Sequence, residues 1–183
     1  VCGGGGDDAD DRVDPGAFEG CDDGVDNDCD GITEGGDGYV ELDAGRQHNG
    51  GLNCDGEVIC WGDNGNGQSN APAGTFVTMD AGKYGTCAVR SDGSTDCWGY
   101  NSYNQNSVPA ETFTAAGVGY TFNCGLHLDG SAQCWGSNGY DQLDEPATLF
   151  DHIDLGYYHA CGVALDGTLD CWGYTSGGGA YFP

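Results

Sequence analysis

The triplet Cys-Trp-Gly occurs four times in this chain, with its tryptophans at Trp61, Trp98, Trp135 and Trp172, each 37 residues from the next. Other columns hold the same register. Asp43, Asp80, Gly117 and Asp154 open equivalent segments, each followed two residues later by Gly45, Gly82, Gly119 or Gly156. An Asp-Gly pair recurs at Asp55-Gly56, Asp92-Gly93, Asp129-Gly130 and Asp166-Gly167. A fixed period of this length belongs to stacked supersecondary units, none of which can bury its apolar face alone. The units fall at about 38–74, 75–111, 112–148 and 149–183.

Each unit predicts short strands and no helix. In the second, Thr75–Met79 leads into Asp80-Ala-Gly, and Thr86–Arg90, a Ser91-Asp92-Gly93 turn and Ser94–Trp98 form a hairpin. Ser-Asp-Gly suits a type I turn closed by a left-handed glycine. That register sets Cys87 opposite Cys97, and the same count pairs Cys124 with Cys134 and Cys161 with Cys171. Facing residues of an antiparallel ladder lie close enough for a cross-strand bridge. Three equivalent hairpin disulfides are therefore expected, each contributing roughly 3 kcal/mol in the chain-entropy picture. Eleven cysteines beside one methionine, without any C-x-x-C pair, point to an oxidising compartment rather than a cytosolic zinc site.

The pattern Ala-Gly-x4-Cys-x4-Asp-Gly-x3-Cys-Trp-Gly-x-Asn-x3-Gln, carried through Asn64 and Gln68, Asn101 and Gln105, Asn138 and Gln142, resembles the RCC1-type repeat of β-propellers in its short cysteine-bearing form. The likeness covers about residues 38 to 173. It implies an all-β fold of radially arranged blades of three or four strands, with the tryptophans packed between neighbours. Propellers of this family close with about seven blades, whereas four units are present here, and the fourth loses its Asn and Gln columns. Four blades form either a small closed ring or an open arc whose edges another copy covers.

Residues 1–17, glycine-rich and acidic, predict a flexible tether, and residues 18–37 a separate small module. The module contains Asp26, Asp28, Asp30 and Gly31 as D-x-D-x-D-G. Alternating aspartates converge three carboxylates on one hard cation, and the glycine permits the sharp turn. Glu34 and Asp37 fall at the ninth and twelfth loop positions, and the Ile32 carbonyl at the seventh. Many flexible oxygen donors fit Ca2+ better than magnesium, and the absence of histidine from this stretch disfavours zinc or copper. The stretch resembles a metal-binding motif of secreted bacterial surface proteins and is similar to the calcium loops of thrombospondin type 3 repeats and dockerins. The resemblance implies a Cys21–Cys29 bridge that pins the loop. Flanking amphipathic helices are lacking, so a calcium-rigidified module is expected in place of a calcium-opened switch.

Those four bridges leave Cys2, Cys54 and Cys60. The column that would hold a partner for Cys60 contains Gly50, so one of the three stays unpaired within the chain, and an intermolecular link is one use for it. Thirty acidic residues against four lysines and arginines, a net charge of -26, exclude the basic footprint that nucleic acid or an anionic membrane requires. With no leader-like or long apolar run, the chain reads as a mature, soluble protein without membrane insertion. His48, His127, His152 and His159 are scattered, and no nucleophile elbow, zinc-protease helix or phosphate loop occurs. These features predict a non-enzymatic calcium-binding structural or adhesive protein, secreted or on a bacterial cell surface, forming a homo-oligomer or filament. The alternative is a monomeric secreted propeller that binds a protein or glycan, with Tyr100, Tyr103, Tyr140 and Tyr174 on its binding face.

Overall fold

The computed structural model describes residues 38–174. Regular structure among them is entirely β, twelve strands in four three-stranded sheets. The first sheet contains β1 (Tyr39–Ala44), β2 (His48–Asn53) and β3 (Val58–Gly62). The second contains β4 (Thr78–Ala81), β5 (Gly85–Val89) and β6 (Thr95–Gly99). The third contains β7 (Ala115–Val118), β8 (Phe122–Leu126) and β9 (Ala132–Gly136). The fourth contains β10 (Phe150–Leu155), β11 (His159–Ala164) and β12 (Leu169–Gly173). Every sheet is an antiparallel meander in chain order. Together they form an open RCC1-like arc of propeller sheets.

The hairpins follow the turn chemistry of the sequence. Asp92 accepts hydrogen bonds from the Ser94 amide at 2.9 Å and the Ser94 hydroxyl at 2.6 Å, and Gly93 takes φ 84°. Asp129 with Ser131 and Asp166 with Thr168 repeat the arrangement. In this register Cys87 faces Cys97, Cys124 faces Cys134 and Cys161 faces Cys171, and all three pairs are bridged, with Cα atoms 4.0 to 4.1 Å apart. The glycine of each Cys-Trp-Gly also has positive φ. At Gly136 a Cβ would press on the Thr121 carbonyl at 2.7 Å, so the triplet needs glycine on both steric and conformational grounds.

The leading strand begins later than its apolar run. The sequence places it at Thr75–Met79, whereas β4 spans Thr78–Ala81. The residues before it strap one sheet to the next: the amides of Phe76, Phe113 and Phe150 donate to the carbonyls of Gly56, Gly93 and Gly130 in the preceding turns, at 2.7, 2.9 and 2.7 Å. The core lies between sheets. Leu52 and Val58 of the first sheet meet Phe76, Met79 and Trp98 of the second. Cys124 and Leu126 of the third meet Phe150, Ile153 and Trp172 of the fourth.

The Gln and Asn columns build the seams. Oε1 of Gln68, Gln105 and Gln142 accepts the amide two residues earlier, folding the loop tightly. This aims each Gln backbone carbonyl at the next sheet, where it accepts the indole N–H of Trp98 (2.9 Å), Trp135 (2.7 Å) or Trp172 (3.1 Å).

Candidate functional site

The inner strands β1, β4, β7 and β10 end at a common funnel of about 390 Å³, with Asp43, Asp80 and Asp154 in its wall. The carboxylates clasp neighbouring sheets. Asp43 accepts the Ala81 amide and Asp80 the Val118 amide, each at 2.6 Å, and Glu41 accepts the Met79 amide at 2.9 Å. Gly117 breaks the column at the third sheet, and Leu155 of the fourth packs over it. Asp154 turns back on the Leu155 amide at 2.8 Å. Burial and the nearby Asp43 carboxylate push Asp80 well above the usual carboxylate range, against the opposing pull of the Val118 amide.

The funnel rim is aromatic. Arg46, Lys83, Tyr120 and Tyr157 form one repeat column. The Lys83 ammonium lies 3.7 Å from the Tyr120 ring centre and 4.1 Å from that of Tyr157, and it also donates to the Tyr157 hydroxyl, which is thereby held below its usual range. Arg46 donates to the Tyr84 hydroxyl at 2.5 Å. Tyr84, Tyr100, Tyr103, Tyr120, Tyr140, Tyr157, Tyr158 and Tyr174 then touch ring to ring in one belt. The sequence pattern picks out Tyr100, Tyr103, Tyr140 and Tyr174. It misses the other four and both cations, although the Arg46–Lys83–Tyr120–Tyr157 column was there to be aligned.

The two ends of the arc form a second surface. Trp61, Leu42 and Tyr39 are 44, 68 and 50% exposed, whereas Trp135, Met79 and Phe113 in the same columns are buried. On the fourth sheet Val163 and Leu169 are 36 and 54% exposed, whereas Leu52 and Val58 in their columns are buried.

Cys60 faces Gly50 in the β2–β3 ladder and is free. It is half-buried against the core between the first two sheets, and burial pushes its thiol up, which slows it as a nucleophile. Cys54 is disulfide-bonded. Asp26, Asp28, Asp30, Ile32, Glu34, Asp37, Cys2 and the Cys21–Cys29 pair lie outside the described residues. Among the described residues no group of three or more His, Cys, Asp and Glu is arranged to hold a metal, and no helix is long and apolar enough to cross a membrane. His48 sits buried at the first seam, bonded through Nε2 to the Thr86 hydroxyl at 2.9 Å, and His127 packs on Phe113.

Residues 39–68, 76–105 and 150–178 match the Regulator of chromosome condensation (RCC1) repeat. Residues 7–34 match a family described as "Putative metal-binding motif", whose name cites copper. No curated protein matches the chain. Among solved structures, it is similar to the ectodomain of the Physcomitrella patens receptor kinase CR4, at 28% identity and TM-score 0.66, over 74% of this chain and 41% of that one. It is also similar to the CRINKLY WD40 ectodomain of the Arabidopsis thaliana receptor kinase ACR4, at 30% identity and TM-score 0.63, over 74% and 53%. Yeast RCC1 (Prp20), solved with Kap60, shares the fold at 16% identity and TM-score 0.64, over 74% and 43%. The chain thus spans about half the length of the structures it matches.

Proposed function

We propose that this chain, RCC1-type repeats led by a metal-binding motif, is a non-enzymatic extracellular structural or adhesive protein, the subunit of a calcium-braced bacterial surface filament. The observation that carries the reading is that, among the described residues, the first and fourth sheets expose Tyr39, Leu42, Trp61, Val163 and Leu169, whose columns the internal seams bury or half-bury. Single exposed apolar residues are ordinary; faces that expose seam columns at both ends ask for a further sheet. Hairpin disulfides support an extracellular setting. The donor set of Asp26, Asp28, Asp30, Glu34, Asp37 and the Ile32 carbonyl is all oxygen, which supports calcium over the copper in the family's name. Bound calcium would neutralise part of a carboxylate cluster that otherwise repels itself, and so rigidify the module ahead of β1. Electron microscopy of the non-reduced protein, with calcium and after chelation, tests this. Filaments that come apart on chelation support it; uniform small particles in both conditions sink it.

A second reading rests on the tyrosine belt. Exposed Tyr103, Tyr140, Tyr157 and Tyr174, in a belt that Lys83 and Arg46 hold through Tyr157, Tyr120 and Tyr84, offer a rigid face for a protein or glycan. Particles that stay small yet bind a ligand, and lose it in Tyr140→Ala, would favour this reading.

A further inference from the structure

We propose that the rim of the funnel is an aromatic cage for a methylated ammonium group, and that Lys83 is a tethered occupant which an incoming cation displaces. The proposal rests on the reading of the tyrosine belt as a binding face, and adds the class of ligand and the group that gates it.

Three loops build the cage. Lys83 and Tyr84 lie between β4 and β5, Tyr120 between β7 and β8, and Tyr157 between β10 and β11. The Tyr120 ring centre stands 5.7 Å from that of Tyr84, with the planes 66° apart, and 4.6 Å from that of Tyr157, with the planes 48° apart. The rings are splayed walls rather than a stack. Among them sits the Lys83 ammonium, 4.8, 3.7 and 4.1 Å from the centres of Tyr84, Tyr120 and Tyr157. A cation within about 6 Å of a ring centre is drawn to the negative face of the ring, so three walls act on one point.

The walls are fixed before any ligand arrives. Tyr100 stacks on Tyr120 with the planes 11° apart, and the Tyr120 amide donates to the Tyr157 carbonyl at 3.3 Å, tying the third sheet's loop to the fourth's. A Cβ on Gly82 would strike the Val118 carbonyl, so the loop of the second sheet lies backbone to backbone on the third. A cage held this way has little order left to lose on binding.

Charge selects a cation, and chemistry selects which one. Lys83, Tyr120 and Tyr157 share the funnel wall with Asp43, Asp80 and Asp154. Asp43 repels Asp80 there, and an incoming positive charge relieves that repulsion. With a net charge of -26, the field of the whole chain draws cations inward. A small metal ion needs several converging oxygen ligands, and among the described residues no group of three or more His, Cys, Asp and Glu is arranged to supply them. A methylated ammonium needs ring faces instead, and a funnel of about 390 Å³ admits a head bulkier than that of lysine. Tyr157 leaves the cage open to solvent, where the attraction between a cation and a ring is weak, so Lys83 yields to a cation that fills the cage better. Until then it competes at the local concentration its short tether sets.

The test titrates the full chain with tetramethylammonium chloride, against sodium chloride at equal ionic strength, and follows broadening of the methyl proton resonance. Wild type should bind, and Lys83→Ala should bind at least about tenfold more tightly, because its tethered competitor is gone. Tyr120→Leu should abolish binding with or without Lys83. Near-UV circular dichroism checks the belt in each variant, and Lys83→Gln, which keeps most of the stem, replaces Lys83→Ala should the belt collapse. Choline and N-acetyl-trimethyllysine amide then distinguish a free small molecule from a protein side chain as the source of the head, by which of them binds more tightly. Equal affinity in wild type and Lys83→Ala overturns the proposal. Binding that survives Tyr120→Leu also overturns it, by showing attraction to the carboxylates alone. A belt that binds a protein or glycan but no tetramethylammonium sinks the cage and leaves the binding face standing; cation binding without any protein or glycan ligand supports the cage and sinks the wider reading.

Discussion

Asp80 illustrates how one repeated residue acquires a different chemistry in each unit. Burial disfavours its charge, and Asp43, one sheet earlier, is near enough to repel it, so its folded-state pKa stands above the unfolded value. Folding therefore takes up a proton between those two values. The stability this group contributes is present below the ordinary carboxylate range and is lost as pH rises through the raised value. Asp80→Asn keeps an oxygen to accept the Val118 amide and removes the charge. Thermal melts should show the variant more stable than wild type near about pH 7, with the difference vanishing below about pH 3, where ordinary carboxylates hold their protons. A variant less stable at both ends of that range would mean that the ionised clasp outweighs the repulsion.

At the scale of the element, the seam between sheets is the unit of stability. The indole N–H of Trp135 reaches back to the Gln105 carbonyl, which Asn123 also meets, at 2.8 Å. Trp135→Phe removes that bond and part of a buried ring, and should cost about 1–3 kcal/mol in urea denaturation. Trp61→Phe, where the ring is exposed among the described residues, should cost less than about 0.5 kcal/mol in the monomer. Equal losses at both positions would show that Trp61 is already covered in solution. The seam also explains why strand boundaries were only partly legible. Thr75–Met79 has the composition of a strand, but Phe76 gives its amide to a turn of the previous sheet, a long-range bond that no local pattern announces.

For the whole molecule, charge sets the conditions. With a net charge of -26, copies repel one another and the sheets of a single copy are under like-charge strain. Raising salt from about 0.01 M to about 0.15 M shortens the screening length from roughly 30 to roughly 8 Å. The melting temperature should rise across that range, and any self-association should strengthen with it. Salt-independent melting would place the acidic residues too far apart to act on folding.

What the sequence by itself determined is what repeats: the 37-residue unit, its hairpin, the Cys87–Cys97, Cys124–Cys134 and Cys161–Cys171 bridges, and the RCC1-like architecture. Turn residues and facing cysteines act within about a dozen positions, so their consequences can be counted along the chain. The tertiary structure decided what each copy of a column does. Trp61 and Trp135 stand in the same Cys-Trp-Gly triplet at equivalent places in β3 and β9, yet one is exposed and the other buried, because among the described residues only Trp135 has a sheet before it. The tyrosine belt, the raised Asp80 carboxyl and the open ends likewise depend on which unit lies beside which. Burial and charge proximity are properties of neighbours in space, and a repeat looks alike at every turn until the arc begins or ends.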